Sequence, residues 1–225
     1  MSEPIPHESD APHQDRRRYA RGNASYASHH DAIFTLARAS EIHDEDTGTH
    51  VLRIRMVVEQ IALHMNFSPD DARELGFDAM LHDVGKLRIP PEVLQKPGQL
   101  NEHERLVMES HTVCGERLLS DRTTMQRASR IARSHHENWN GSGYPDGLAG
   151  QAIPIEARIT AAADVLDALM SPRAYKQSWS YEHAVREVVG LAGTKLDPQV
   201  VDALKRCDAD GSLREVYGLP TPRFA

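Results

Sequence analysis

The sequence predicts an all-α protein with its helical domain over residues 29–206, on three observations. Apolar residues recur at spacings of three and four, most plainly at Val51, Ile54, Val58, Ile61, Ala62 and Met65. Helix-opening signatures stand at Ser68-Pro69, at Asn101 with Glu104, at Ser180 and at Asp197-Pro198. No run of β-branched residues alternates with polar ones as a half-buried strand requires.

Residues 1–28 mix Pro, His, Asp and the basic run Arg16-Arg17-Arg18 without an apolar period, and read as a flexible arm. Helical patterning begins near His29 with Ile33, Leu36 and Ala37, and resumes from Val51 to Met65. Ser68 caps, and Pro69 opens, a helix through Ala72, Leu75, Gly76 and Ala79 to His82-Asp83, with Gly85 expected to end it. A Pro-punctuated connection covers 89–100. Asn101 then starts one helix through Leu106, Val107, Ser110, Val113, Cys114, Arg117 and Leu118. A further helix spans about 122–136 through Met125, Ala128, Ile131 and Ala132. Residues 137–154 carry Gly141, Gly143, Gly147 and Gly150 with Pro145 and Pro154, and form a long irregular loop, a length usually kept for function. An Ala-rich helix over 155–170 and the helices opened at Ser180 and Asp197 complete the domain. Residues 207–225, with Pro220 and Pro222, read as a C-terminal tail.

Composition narrows the function. The chain has 225 residues and a formal net charge of −7, which disfavours duplex nucleic acid as a partner, since that needs a broad basic surface. Its longest stretch without a charged side chain is the ten residues Gln60 to Pro69, against roughly 20 for a spanning helix, so no membrane insertion is expected. Only Cys114 and Cys207 occur, and no apolar leader follows Met1, so the expected compartment is the cytoplasm. Against 4 Phe and 2 Trp there are 13 His. Histidine is the commonest metal ligand and titrates near neutrality.

Several histidines and aspartates fall at helix ends or on faces expected to be buried. His82 and Asp83 are adjacent, so their side chains diverge by about 100° around a helix axis and suit two neighbouring ions, with the carboxylate able to bridge, better than one chelated ion. Asp46 and His50 are four apart, on one face if the helix has begun by then. His111 lies inside a helix, His135-His136 close another before the Gly-rich loop, and Asp164 sits among Ala161, Ala162, Ala163, Val165 and Leu166, where burial demands a cation or hydrogen-bond partners. Each residue alone has an ordinary explanation as a cap or a solvated side chain. Together they offer nitrogen and oxygen ligands without thiolates, a set suited to Mn²⁺, Fe²⁺, Ni²⁺ or Zn²⁺.

The motifs Asp46-Thr47-Gly48-Thr49-His50-x-x-Arg53, His82-Asp83-Val84-Gly85-Lys86, His111-x-x-x-Gly115, His135-His136-Glu137-x-Trp139-Asn140-Gly141-Ser142-Gly143-Tyr144-Pro145, Ala157-Arg158-Ile159 to Ala163-Asp164, and Arg173-x-Tyr175-Lys176 resemble, in order, those of the HD-GYP subgroup of HD-domain phosphohydrolases. The resemblance covers roughly residues 30 to 205. It implies a bundle of about seven helices around a metal centre, and hydrolysis of cyclic di-GMP to pGpG or to GMP by a hydroxide bridging two metals. By position, His50, His82, Asp83, His111, His135, His136 and Asp164 look like the metal ligands, with Asp83 bridging. Asp46 stands where members with three metals often have Glu. Its shorter side chain favours two divalent ions, iron or manganese, with a third left open. Lys86 resembles the lysine beside the scissile phosphate, and Arg173 and Lys176 resemble the cations that hold the second one. Gly143, Tyr144 and Pro145 resemble the substrate-side loop. Arg53 reads as an ion-pair partner. Asn140, where the family commonly has Asp, and Lys195-Leu196, where an aromatic usually precedes Asp197, depart from the pattern. Asn140 keeps an alternative open: a catalytically weak scaffold that binds cyclic di-GMP or diguanylate cyclase (GGDEF) domains through the Gly-Tyr-Pro loop.

Overall fold

The computed structural model describes residues 29–41, 49–171 and 178–220. Asp46, Arg173, Tyr175 and Lys176 therefore lie outside the described residues. Among those described there is no strand, only two isolated bridges, and the fold is all-α as expected. In chain order the helices are α1 (29–40), α2 (Thr49–His64), α3 (Pro69–Ala79), α4 (Pro91–Leu94), α5 (Glu102–Glu109), α6 (His111–Leu119), α7 (Gln126–Ser134), α8 (Ile155–Met170), α9 (Tyr181–Gly190), α10 (Pro198–Asp210) and α11 (Ser212–Val216). None of the described helices is long and apolar enough to cross a membrane.

The caps read from the sequence are made. The Ser68 side chain accepts from the Asp71 amide ahead of Pro69, Ser180 accepts from His183, and Asp197 accepts from Gln199 ahead of Pro198. Asn101 and Glu104 form the reciprocal capping box. α2 is the spine. Its Ile54, Val57, Val58, Ile61 and Ala62 are buried in a core with residues of α3, α8, α9 and α10, whereas its first turn places Val51 in a second cluster with Ile33, Ala37, Met80, Leu81, Val84, Ala128 and Ala132. Apolar contacts thus surround the first turn of α2 and the ends of α3 and α7, where the polar motifs sit.

Four boundaries differ from the sequence reading, each for a local reason. The helix expected to run unbroken from Asn101 stops at Ser110, whose amide is shared between the Leu106 and Val107 carbonyls, and α6 restarts at His111. The helix expected from about 122 begins as the 3₁₀ turn Thr123–Met125. α3 ends at Ala79, well before Gly85, which lies in the 3₁₀ turn Val84–Arg88. Glycine is needed there for close approach: a Cβ on Gly85 would sit 1.8 Å from the His111 carbonyl oxygen and 2.5 Å from the Gly115 amide nitrogen. Finally, α10 continues past residue 206 through buried Cys207, and Leu213 of α11 is fully buried in the larger core, so the packed helices extend into the segment read as a tail.

Gly85→Ala is expected to push α6 away from this turn and to cost about 1–3 kcal/mol or more of folding stability. A urea midpoint unchanged from wild type would contradict that packing.

Candidate metal centre

The ends of the helices aim imidazoles inward. His82 follows α3, His111 opens α6, and His135 and His136 follow α7. Carbonyls near a helix end keep acceptor capacity to spare, and three of these histidines use it. His82 donates Nδ1–H to the Ala79 carbonyl at 2.9 Å, and His111 donates to Met108 at 2.7 Å. His135 donates to Ala132 at 3.1 Å, shared with Ile131 at 3.2 Å. A carbonyl only accepts, so each ring carries a proton on Nδ1 and turns Nε2 toward the centre. The three rings are almost wholly buried.

The Nε2 atoms and the Asp83 carboxylate converge on one another. Nε2 of His111 and Nε2 of His135 face each other at 3.5 Å. Asp83 Oδ1 lies 3.2 Å from the first and 3.6 Å from the second, and Oδ2 lies 3.3 Å from His82 Nε2. Asp83 Oδ1 and His82 Nε2 are buried with no properly directed hydrogen bond. Two groups of ligand atoms, each within 4.8 Å of one another, result: Asp83, His111, His135 and His136, and beside them Glu41, His50 and His82. Asp83 lies between the groups, one oxygen toward each. Orphaned buried nitrogen and carboxylate donors of this kind fit a divalent metal ion and no disulfide or thiolate chemistry. Among the described residues the two cysteines are unpaired and outside both groups.

The sequence reading missed Glu41. It is almost fully buried, both carboxylate oxygens lack a hydrogen-bond partner, and Oε1 is 3.5 Å from His50 Nε2. The signal was present: Ile33, Ala37, Ser40 and Glu41 continue one buried stripe of α1, and a carboxylate on such a stripe calls for a cation. Asp164 was expected to be buried. Its side chain is 23% exposed and stands 3.9 Å from His82 Nε2, outside both groups, whereas Asp167 one turn later is fully buried. Lys86 places Nζ 2.8 Å from Asp83 Oδ2.

Electrostatics follow from this crowding. Burial opposes charge on His82, but Asp83, Asp164 and Glu41 outweigh it and push its pKa up to about 9. Burial also works against ionised Asp83, yet the Lys86 ammonium and His82 beside it hold it well below the ordinary carboxylate range. Burial raises the pKa of Glu41, partly offset by His50 and His82. Burial, reinforced by His135, keeps His136 neutral.

The loop over the centre is built rather than loose. Buried Glu137 accepts from the amides of Asp146 at 2.7 Å and Leu148 at 3.0 Å, while Arg133 grips Asp146. Trp139 and Asn140 donate their amides to the Lys195 and Thr194 carbonyls, so the two departures from the family pattern lie against each other. A Cβ on Gly143 would fall 2.3 Å from the Asn138 amide nitrogen, so only glycine fits. Tyr144 is thereby set with its ring 4.9 Å from that of His136.

This helical fold with buried His and Asp donors at helix ends defines an HD domain. The family described as HD domain matches residues 28–200, and the chain belongs to it, its Gly143-Tyr144-Pro145 loop marking the HD-GYP type. The chain is 44% identical over 178 residues to the cyclic di-GMP phosphodiesterase response regulator RpfG of Xanthomonas campestris pv. campestris, covering 78% of this chain and 47% of that one. It is 40% identical over 176 residues to the 3'3'-cGAMP-specific phosphodiesterase 2 of Vibrio cholerae, covering 77% and 34%. The chain thus spans half or less of the length of these curated relatives. A solved cyclic GMP-AMP-specific phosphodiesterase of Vibrio cholerae shares the fold, with a TM-score of 0.62 at 19% identity over 85% of this chain and 53% of that one.

A cation entering the centre must displace the proton of His82. Adding Mn²⁺ to metal-stripped protein in weak buffer near pH 7, below the His82 pKa, is expected to release protons, and His82→Gln is expected to release fewer. Equal release from the two proteins, read with an indicator dye, would contradict the assignment.

Proposed function

We propose that this chain is a metal-dependent phosphodiesterase that hydrolyses cyclic di-GMP to pGpG or to GMP. The observation that carries the reading is the juxtaposition of Lys86 with Asp83 at a buried cluster of metal-type donors. His50, His82, Asp83, His111, His135 and His136, with Glu41, would hold two divalent ions, iron or manganese, Asp83 serving both; Asp46 and Asp164 remain candidate ligands. Such ions lower the pKa of water toward about 7 and polarise phosphate oxygens.

The chain's own groups supply the rest. The buried rings and the wall formed by Tyr144 exclude bulk water, which strengthens every charge interaction inside. Lys86, on the 3₁₀ turn after Asp83, offsets the charge that develops on the phosphate and hands a proton to the departing ribose oxygen. Gly143, Tyr144 and Pro145 border the substrate. Arg173 and Lys176 grip the second phosphate, Arg through paired hydrogen bonds and Lys as a point charge. The unpaired cysteines agree with work in the cytoplasm.

The scaffold alternative drew on Asn140. Its Oδ1 accepts from the Ser142 amide at 3.0 Å and from Ser142 Oγ at 2.7 Å, a turn that Asp would make equally well, so this departure does not favour a scaffold over an enzyme.

Metal-replete protein incubated with cyclic di-GMP, and separately with 3'3'-cGAMP, is expected to release linear products from the former when analysed by chromatography. Asp83→Ala is expected to abolish them, and Lys86→Ala to lower kcat by about 10²–10⁴-fold. Intact cyclic di-GMP after incubation with protein holding its metals would overturn the reading, and turnover confined to 3'3'-cGAMP would overturn its substrate.

A further inference from the structure

His50 differs from the other buried histidines of the centre. His82, His111 and His135 each donate Nδ1–H to a carbonyl near the end of the preceding helix. His50 is the second residue of α2, so no carbonyl of its own helix lies behind it. Its Nδ1 instead meets Oδ2 of Asp167, on α8, at 2.6 Å.

Asp167 is fully buried, and its other contacts lock it. Arg53 donates from Nε to Oδ1 at 2.5 Å and from a terminal nitrogen to Oδ2 at 2.9 Å. Ser171 donates its hydroxyl to Oδ2 at 3.2 Å, and Tyr217, beyond α11, donates to Oδ1 at 3.3 Å. Arg53 lies three residues after His50, so one helix turn presents both the ring and a balancing cation to the same carboxylate. With Nδ1–H committed to Asp167, the Nε2 lone pair of His50 turns toward Glu41. A carboxylate behind a ligating imidazole fixes its tautomer, orients the ring and raises its basicity.

We propose that Asp167 is the positioning residue for His50, standing in for the carbonyl that the start of α2 lacks, and that the Glu41–His50–His82 half of the centre depends on it to hold its ion. The inference rests on the reading of that half as a metal site. Tyr217 makes the segment after α10 part of the same support.

Calorimetric titration of Mn²⁺ into the metal-stripped full chain tests this without any nucleotide, so its outcome is independent of whether cyclic di-GMP is hydrolysed. Wild type is expected to take up two ions. Asp167→Ala is expected to weaken one of them by about 10–100-fold and leave the other unchanged. Asp167→Asn, which keeps the volume and one acceptor, and Tyr217→Phe are expected to weaken that same ion by less. If Asp167→Ala does not fold, the Asn and Phe variants decide. Equal weakening of both ions, no weakening of either, or a wild-type chain that takes up a single ion would overturn the proposal.

Discussion

Imidazole nitrogens and carboxylate oxygens whose lone pairs point at one another cannot stay together in a protein interior unless something positive lies among them. In water such groups are solvated separately. Inside, with screening reduced, the repulsion and the lost hydration both grow. His111 and His135 meet Nε2 to Nε2, and Glu41 is buried with neither oxygen bonded. The neighbouring elements hold this arrangement in place. One apolar cluster lies along α2 toward α8, α9 and α10, another fills the space between α1 and the ends of α3 and α7, and the donors are fixed where the two meet.

Backbone geometry does much of the orienting. Carbonyls at helix ends, which keep acceptor capacity to spare, here take Nδ1–H from three histidines and set the direction of each ring. At the break after Ser110 the Met108 carbonyl lies against the His111 ring that begins α6. The same economy accounts for Gly85, where the turn carrying Asp83 and Lys86 presses against the His111 carbonyl. Glu137 does for the Gly-Tyr-Pro loop what the carbonyls do for the rings, gathering two loop amides onto one buried carboxylate.

The helical class and the main donors were legible in the sequence because adjacent His-Asp and His-His pairs at helix ends stand out against a polar background, and because Ser68, Asn101, Ser180 and Asp197 make the caps their types favour. Other features left weaker traces. Glu41 carries no motif spacing, only its place just past α1 in line with that helix's buried stripe. Asp164 and Asp167 share one Ala-rich helix and lie one turn apart, so periodicity could not tell the partly exposed carboxylate from the fully buried one; the difference depends on Ser171 just past the helix and on Arg53 and Tyr217 from distant segments. Likewise nothing local announced that Leu213 and Tyr217 pack back onto the domain. Contacts made across the fold, not along the chain, decide all of these.

The most direct test of the claim that buried, unpaired donors exist to hold cations is a crystal structure of the manganese-loaded protein with data collected at the manganese absorption edge. The account predicts two anomalous peaks, one among Asp83, His111, His135 and His136 and the other among Glu41, His50 and His82, with Asp83 reaching both. Peaks elsewhere, or none at these side chains in protein shown to have taken up manganese, would contradict it.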